Sequence, residues 1–330
     1  MTPTAPATAG LTWRALTVED VPLWHDLVRA MEAVDDPSER YTRDDLTDAL
    51  TDGSWKNPAT DSVVGLDENG VARAFGLVEV RPGDTRTVRA FCWGGVHPQW
   101  RGRGLGREVI RWQEERAREK VREARCGVPA YARTHTEDHL TDARHLLEHA
   151  GFVATRWFVD LTRRLDADHP VPEVTLDGGL RLVPYDAALA EPLRLAHNES
   201  FADHWGSEPR AREDWERYTV GGRDFRPAWS FVVLDGDEVA GYTIASAYEQ
   251  DWAAQGYTEG WTDLLGVRPA WRRRRIAPAL LVASMRAFAA DGIERAGLGV
   301  DTENGSGALA LYTRLGYEPE RRSIAYVKDL

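Results

Sequence analysis

The chain repeats one order of apolar and polar segments, once in each half. Runs that alternate apolar and polar residues predict strands, and stretches with apolar residues three or four positions apart predict helices. In the first half the predicted strands are 11–16, 62–66, 71–80, 87–96, 129–133 and 152–161, and the helices 21–31, 41–50, 105–121 and 139–149. In the second half the strands are 180–183, 229–234, 239–247, 258–267, 295–300 and 323–327, and the helices 187–197, 276–290 and 308–315.

Turn signals predict how some of these strands connect. Asn69 and Gly70 separate two apolar runs, and Asp235, Gly236 and Asp237 separate another two. Such turns favour hairpins between antiparallel strands, whereas the intervening helices favour parallel connections. The sequence therefore predicts an α/β protein in the α+β sense, with a mixed sheet.

A local repeat divides the chain into two domains. Residues 95–106 recur as residues 266–277, with six of the twelve positions identical. A repeat of this kind indicates a duplicated domain. We expect a flexible tail at 1–10, a domain at 11–165, a polar, proline-bearing linker at 166–178 and a second domain at 179–330.

Composition and charge exclude several classes of partner. The formal net charge is −12 at pH 7, which argues against nucleic acid and anionic membranes because both need a basic surface. No apolar run is long enough to cross a membrane, and the first ten residues lack a signal-peptide pattern. The two cysteines, Cys92 and Cys126, predict neither a disulfide framework nor a metal site, so a reducing cytoplasm is expected. Whether the chain forms a homodimer is left open.

Each repeat follows a predicted strand and opens a predicted helix. A turn at that point presents unpaired backbone N–H groups, and arginines add positive charge, so the sequence predicts two loops that hold a pyrophosphate. A plain solvated turn is the alternative, and a nucleic-acid patch is a second one for the four consecutive arginines. The predicted binding residues are Val96, Arg101, Gly102, Arg103, Gly104, Leu105 and Gly106 in the first copy, and Leu265, Val267, Arg272, Arg273, Arg274, Arg275, Ile276 and Ala277 in the second.

The pattern Val-x-Pro-x-x-Arg-x-x-Gly-x-Gly in the first copy resembles the acetyl-CoA-binding signature of the GNAT N-acetyltransferases. The duplication is similar to the tandem GNAT proteins of actinobacteria, of the mycothiol-synthase type, and the resemblance covers residues 11–330. It implies two tandem GNAT-like acyl-CoA N-acyltransferase domains and acetyl-CoA, or another acyl-CoA, as cofactor. Residues 300–317 are similar to the family's Asn-x-x-x-Ala-x-x-Leu-Tyr-x-x-x-Gly-Phe segment. This implies that Asn304 contacts the CoA arm and that Tyr312 is the general acid for the leaving thiolate, although Tyr312 could equally be a packed core residue.

The two halves depart from the family pattern at different positions. The first half has Leu147 at the position of Tyr312, and leucine cannot donate a proton. The second half has Arg275 at the position of the first glycine of the signature, where a helical φ would suit arginine. The resemblance therefore implies that the second domain is the catalyst and that the first keeps a CoA site without turnover.

Amine acetylation also needs an oxyanion donor and a base. We expect the donor among backbone N–H groups around residues 265–267. Glu259 and Asp263 are the candidate bases, because even spacing places both on one face of a strand, although either could be an ordinary surface or ion-paired carboxylate. His204 and Trp205 follow a predicted helix and are candidate substrate contacts, or simply loop packing.

The sequence therefore predicts an acetyl-CoA-dependent N-acetyltransferase that acts on a small-molecule amine by direct transfer. Two alternatives stay open. Catalysis could lie in the first domain with another group replacing the tyrosine, or the chain could be a non-catalytic acyl-CoA-binding or regulatory protein.

Overall fold

The computed structural model describes residue 6 and residues 10–51, 53, 55–124, 127–303 and 307–330. The chain forms two compact units. The first unit runs to Trp157 and adds Arg322–Leu330, and the second unit is Phe158–Arg321. None of the described helices is long and apolar enough to cross a membrane.

The first unit is built from five complete strands, part of two further strands and five helices among the described residues. Its strands are β1 Thr12–Arg14, β2 Ser62–Leu66, β3 Ala72–Val80, β4 Val88–Val96, β5 Ala130–Glu137 and the start of β6 Val153–Arg164. Its helices are α1 Val21–Asp35, α2 Arg43–Thr51, α3 Pro58–Asp61, α4 Leu105–Ala124 and α5 Thr141–His149. The predicted capping box is present at α2, where Asp45 N–H donates to Thr42 Oγ1 and Thr42 N–H donates back to Asp45.

The second unit has the same order of strands and also five helices among the described residues. Its strands are β7 Leu180–Pro184, β8 Phe231–Asp235, β9 Glu238–Ser246, β10 Glu259–Val267, β11 Arg295–Asp301 and the start of β12 Glu318–Asp329. Its helices are α6 Ala190–Ser200, α7 Arg212–Tyr218, α8 Glu249–Gln255, α9 Ile276–Ala290 and α10 Ala308–Arg314. The short helix α8 lies between β9 and β10, whereas α3 of the first unit precedes β2. The sequence did not predict α3, α7 or α8, because each is too short to show a helical repeat of apolar residues.

Each unit has a mixed sheet, which confirms the predicted fold class. In the first unit β1 to β4 form an antiparallel meander, and β4 then pairs in parallel with β5. In the second unit β7 to β10 form the same meander, and β10 pairs in parallel with β11. The parallel step requires a crossover, which α4 and α9 supply.

The last strand of each unit comes from the other half of the chain. Phe158–Arg164 of β6 pairs with β11, and Ser323–Asp329 of β12 pairs with β5. The chain therefore leaves the first unit within β6 and returns to it within β12. The predicted boundaries at 165 and 179 differ from this division, because sequence periodicity marks a strand but does not tell which sheet it joins.

Each of the two faces of a sheet carries its own apolar cluster. In the second unit one face packs against α9 and α10 through residues such as Leu281, Phe288 and Leu298. The opposite face packs against α6 and α7 through residues such as Leu193 and Trp215. The first unit repeats this, with α4 and α5 on one face and α1 and α2 on the other. Cys92 is buried in the cluster beside α4, whereas Cys126 lies outside the described residues.

Candidate active site

In the second unit, β10 and β11 pair over only part of their length. The parallel register joins Glu259–Thr262 to Arg295–Leu298 and goes no further. β10 continues to Val267 while it stays paired with β9 on its other side. The edge of residues 263–267 that faces β11 is therefore without a strand partner among the described residues, and its backbone groups are open to a ligand.

Asp263 lies at an irregularity in β10 just beyond that point. Thr262 pairs with Ala245 and Leu264 with Ile244, so Asp263 is an extra residue in the ladder. A bulge of this kind re-aims side chains next to active sites. The Asp263 carboxylate faces the side of the sheet that packs against α6, where it is hydrogen-bonded to Ser246 of β9.

Two hydroxyl groups hold the Asp263 carboxylate. Ser246 Oγ donates to one oxygen in a short hydrogen bond, and Tyr248 Oη donates to the other at 2.8 Å. Burial raises the pKa of Asp263 to about 6, although both hydrogen bonds stabilise the anion, and the charge of Asp224 raises it further. A carboxylate with a pKa near 6 is ionised at neutral pH and basic enough to accept a proton.

Glu259, the other candidate base, lies on the same face as Asp263, as the even spacing predicted, but in the part of β10 that pairs with β11. It accepts a hydrogen bond from Thr162 Oγ1 at 3.0 Å, and burial raises its pKa to about 7. Its carboxyl group packs against Gly297 of β11, where a Cβ would lie 2.7 Å from Glu259 Oε1. Glu259 is therefore enclosed by the sheet rather than exposed at its open edge.

Tyr312 lies on α10, in the apolar cluster beside α9. Its side chain is buried, with an edge-to-face contact to Tyr317 at a centroid distance of 6.1 Å. Burial raises the pKa of Tyr312 to about 12, so its hydroxyl stays protonated at neutral pH and can act as a donor.

The two loops predicted to hold a pyrophosphate have the same backbone course. In the first unit, Gly102 and Gly104 have φ of 75° and 85°. In the second unit, the corresponding Arg273 and Arg275 have φ of 66° and 59°. The helical φ predicted for Arg275 is therefore wrong, because the loop imposes the left-handed conformation. That conformation costs a non-glycine residue about 1–2 kcal/mol, and such strain collects at functional sites.

The arginine side chains of the two loops are engaged differently. Arg101 Nε donates to Val96 O at 3.2 Å, and its two terminal nitrogens bind the Asp35 carboxylate at 2.6 Å each. Arg272 likewise folds onto Val267 O at 3.4 Å, but its Nη2 reaches only a carbonyl oxygen, that of Ser200, at 3.3 Å. Asp35 therefore neutralises Arg101 of the first loop, whereas Arg272 of the second loop forms no salt bridge among the described residues.

The remaining loop residues add one further difference. Arg274 pairs with Asp235 at 3.0 Å, whereas Arg273 and Arg275 are exposed and form no salt bridge among the described residues. Arg103 stacks on Trp100 at 4.5 Å from the ring centroid. Leu105 and Ile276 are buried first residues of their helices, and Gly106 and Ala277 follow them. Pro278 then removes one N–H from the first turn of α9, a loss that the predicted site did not include.

The first unit lacks the features that surround Asp263 and Tyr312. The register between β3 and β4 runs without interruption from Ala74–Val96 to Val80–Ala90. Thr262 therefore corresponds to Cys92 by strand pairing, and the bulged Asp263 has no counterpart. Cys92 is buried with its pKa raised to about 12 by burial, and Leu147 is buried in the same cluster.

Two other predictions concern the loops of the second unit. Asn304 lies outside the described residues, so its predicted CoA contact stays a prediction. His204 and Trp205 follow α6, where His204 Nδ1 and Trp205 O are 3.2 Å apart and the His204 ring contacts Phe201. Phe201 in turn stacks on the buried His197, so these residues lie on the face of the sheet towards which Asp263 turns.

The sequence model of the acetyltransferase (GNAT) family matches residues 23–152 and 191–317. The chain belongs to the GNAT acetyltransferase family. A mycothiol acetyltransferase of Frankia alni is 26% identical over 339 residues, which cover 97% of this chain and 95% of that protein. A GCN5-related N-acetyltransferase from Sphaerobacter thermophilus has a similar fold, with 24% identity, a TM-score of 0.76 and coverage of 99% and 97% of the two chains. A tandem GNAT protein from the clavulanic acid biosynthesis pathway matches at 17% identity and a TM-score of 0.70, over 97% of this chain and 98% of that one.

Family membership confirms the predicted tandem GNAT fold, the acyltransferase class and acetyl-CoA as cofactor. The residues of the two GNAT loops fit that molecule. Alternate left-handed positions turn successive backbone N–H groups to one side of the loop, and the unpaired N–H groups of a helix N-terminus follow. This is the donor arrangement that a pyrophosphate needs.

Several residues around the candidate base Asp263 were not predicted from the sequence. Ser246 is the last residue of β9 and Tyr248 precedes α8, and no sequence motif marks them as partners of Asp263. Tyr242 packs its ring against Gly266, where a Cβ would lie 2.4 Å from its Cε1, and its Oη shares a 2.6 Å hydrogen bond with His197 Nδ1. Burial lowers the pKa of His197 to about 3, so this buried pair is neutral.

Proposed function

We propose that the second unit transfers an acetyl group from acetyl-CoA directly to a small-molecule amine. Asp263 is the general base and Tyr312 is the general acid. The observation that carries this proposal is the bulge at Asp263, which is present in one unit and absent from the other, at the point where β10 and β11 stop pairing. Among the described residues, the second unit has both the bulged carboxylate and the tyrosine, and the first unit has neither at the equivalent positions.

The cofactor supplies an acetyl group activated as a thioester. The loop of Arg272, Arg273, Arg274 and Arg275, with the first residues of α9, Ile276 and Ala277, holds its pyrophosphate through backbone N–H groups and guanidinium charge. The backbone of Leu265 and Val267 at the open edge of β10 would hold the pantetheine arm. A backbone N–H of residues 265–267 stabilises the charge that develops on the carbonyl oxygen.

The proton transfers follow from the states of the two side chains. Asp263, ionised at neutral pH, accepts a proton as the amine attacks the carbonyl carbon. Tyr312, neutral at neutral pH, donates its proton to the leaving thiolate. Ser246 and Tyr248 hold the Asp263 carboxylate in one orientation throughout, which lowers the reorganisation that the transfer requires.

The acceptor is an amine of a mycothiol-like metabolite, a proposal that rests on the relative from Frankia alni named as a mycothiol acetyltransferase. His204 and Trp205 are the proposed substrate contacts. Their loop lies on the α6 face of the sheet, to which Asp263 also turns.

The first unit is proposed to bind acyl-CoA without turnover, through Val96 and residues 101–106. Its loop has glycine at both left-handed positions, and its helix retains the N–H that Pro278 removes from α9. The absence of a bulged carboxylate and the presence of Leu147 leave it without a base or acid.

Release of free thiol from acetyl-CoA, measured with a panel of amines that includes the unacetylated precursor of mycothiol, tests the activity. We expect amine-dependent thiol release, and Tyr312→Phe is expected to lower kcat by about a hundredfold because the leaving thiolate loses its proton donor. Thiol release that no amine stimulates would favour a binding or regulatory protein. An unchanged kcat in Tyr312→Phe would remove the acid from the mechanism while leaving the activity.

A further inference from the structure

One tryptophan of the second unit, Trp261 on β10, lies low over the neighbouring strand β11. A Cβ at Gly297 would lie 2.4 Å from Trp261 Cε3, and a Cβ at Gly299 would lie 3.7 Å from Trp261 Cζ2. Glycines inside a strand mark places where another group approaches the backbone closely. The six-membered ring of Trp261 therefore occupies space that two side chains of β11 would otherwise fill, with one face towards the backbone and the other away from it.

The side chain of Trp261 has no polar or aromatic partner in the described part of the chain. It is half-buried, its ring makes no aromatic or cation–π contact, and its Nε1 forms no hydrogen bond among the described residues. In the sheet Trp261 pairs with Ser246, whose Oγ donates to Asp263, so the ring and the proposed base share one face. The ring is therefore placed to contact a molecule that reaches Asp263.

The first unit has a ring at the same place in the fold. Strand pairing equates Thr262 with Cys92, so the residues before them, Trp261 and Phe91, occupy equivalent positions. A cation within about 6 Å of a ring centroid is attracted by the negative face of the ring. Three guanidinium groups have their carbon 5.7–5.8 Å from the Phe91 centroid, and they belong to Arg81, Arg89 and Arg133. This position of the fold therefore gathers positive charge where the chain supplies it.

The second unit has other residues at two of those arginine positions. On the strand opposite the ring, Gly297 of β11 stands where β5 has Arg133. Two residues before the ring, Glu259 of β10 stands where β4 has Arg89. Asp160 of β6 also approaches, with Oδ1 3.3 Å from the Cβ position of the second β11 glycine. The ring of the second unit therefore has carboxylates beside it in place of guanidinium groups.

The charges around this ring favour an incoming cation. Burial, together with the negative charges of Glu320 and Asp160, raises the pKa of Glu259 to about 7, although a hydrogen bond and the charge of Arg295 lower it. Arg295 itself is engaged, because it pairs with Glu320 at 3.5 Å and its guanidinium carbon lies 3.6 Å from the centroid of the Tyr257 ring. A positive ligand group at the ring would therefore be attracted by the ring face and by the acidic groups beside it.

We propose that Trp261 binds a second positively charged group of the acceptor, apart from the amine that is acetylated. This inference rests on the proposed function and concerns only the class of acceptor. The ring lies over β11, whereas the Asp263 carboxylate is held by Ser246 of β9. The ring and the base are therefore separated by about two strand spacings, on the order of 10 Å, and one nitrogen cannot reach both. The acceptor class is a diamine, whose near amine reacts at Asp263 while its far ammonium group lies on the ring.

Two amines of equal length test the proposal. The probes are 1,6-diaminohexane, which has an ammonium group at its far end, and 1-aminoheptane, which has a methyl group there. We expect kcat/KM of the diamine to exceed that of the monoamine by about tenfold, mainly through KM, because the cation–π contact adds binding energy. Trp261→Leu should reduce this ratio to about twofold, the statistical advantage of two equivalent amines, and Trp261→Phe should keep more of it because its ring still has a negative face.

Phe91→Leu is the matched control, since it removes the equivalent ring of the first unit, and it should leave both the ratio and kcat unchanged. An unchanged KM for acetyl-CoA shows that Trp261→Leu retains its fold. Titration calorimetry of both amines in the presence of CoA adds a measurement that needs no turnover, and the diamine should bind more tightly to the original protein but not to Trp261→Leu.

The outcomes separate this inference from the proposed function. Thiol release with equal kcat/KM for the two amines, or a diamine preference that survives Trp261→Leu, would overturn the inference and leave the proposed function standing. Tighter binding of the diamine that depends on Trp261, without thiol release from any amine, would support the binding site and remove the proposed transfer. Equal binding of the two amines together with no thiol release would overturn both.

Discussion

The two units of this chain keep one loop and differ in the strand before it. Each loop lies between equivalent elements, β4 and α4 in the first unit and β10 and α9 in the second. Each loop also has two residues in the left-handed conformation. The β4 ladder is regular, whereas the β10 ladder carries an extra aspartate. The backbone of the loop is thus preserved after duplication even where its glycines are lost, but one extra residue in a ladder separates the unit that has the proposed base, Asp263, from the unit that lacks it.

The same contrast appears in the charges of the loops. In the first unit Asp35 neutralises Arg101, and Gly102 and Gly104 adopt the left-handed conformation without strain. In the second unit Arg273 and Arg275 hold a strained backbone and add two exposed positive charges. Strain that is retained at a site indicates that the side chains contribute there something that glycine cannot.

The largest expected effect comes from removing the bulged carboxylate. Asp263→Asn should lower kcat by at least about a hundredfold, because the amine then has no base. Glu259→Gln is the matched variant on the same strand, and its effect should stay within about threefold because Glu259 lies in the closed part of the sheet. Steady-state kinetics of both decide the assignment, and a reversed order of effects would make Glu259 the base.

The pH dependence should sharpen this assignment. Because the pKa of Asp263 is raised to about 6, the carboxylate is ionised above that pH and protonated below it, so kcat/KM should fall about tenfold per pH unit below pH 6. Ionisation of the amine contributes equally in the original protein and in Asp263→Asn, so the ratio of their profiles isolates this group. If kcat/KM of Asp263→Asn still falls below about pH 7, the titrating group is instead Glu259, whose pKa is raised to about 7.

A smaller effect is expected on cofactor affinity. Arg275→Ala should weaken CoA binding to the second unit by about tenfold, because a charge-assisted contact contributes roughly 1.5–3 kcal/mol and part of it is screened by solvent. Gly104→Ala should weaken binding to the first unit through backbone strain alone. Titration calorimetry with CoA measures the affinity of each variant. If neither substitution weakens CoA binding, the loops do not hold the pyrophosphate.

The smallest effect concerns stability. Arg273→Gly should raise the free energy of unfolding by up to about 1 kcal/mol, because relief of left-handed strain exceeds the added entropy of glycine in the unfolded chain. Gly102→Ala, the opposite change in the first unit, should lower it by about 1 kcal/mol. Chemical denaturation measures the free energy of unfolding of both variants. Changes of the same sign would contradict the claim that the two loops share one left-handed backbone conformation.

The sequence was sufficient to predict the loops, since a twelve-residue repeat and the glycine pattern are local signals. The replacement of Tyr312 by Leu147 in the first unit could also be predicted, because the two residues lie at equivalent positions of equivalent helices. Asp263 was recognised only as one of two evenly spaced carboxylates, since a bulge is defined by the register with β9, which sequence spacing does not reveal.

The central claim is that turnover belongs to the second unit alone, and blocking each loop in turn tests it most directly. The measurement is the initial rate of amine-dependent thiol release at saturating acetyl-CoA for Gly104→Glu and Arg275→Glu, each of which places a carboxylate where a pyrophosphate must bind. We predict that Arg275→Glu loses at least about 90% of the rate and that Gly104→Glu keeps most of it, in line with the loss of a charged contact at a working site. A rate that falls with Gly104→Glu and survives Arg275→Glu would contradict the account and move the active site to the first unit.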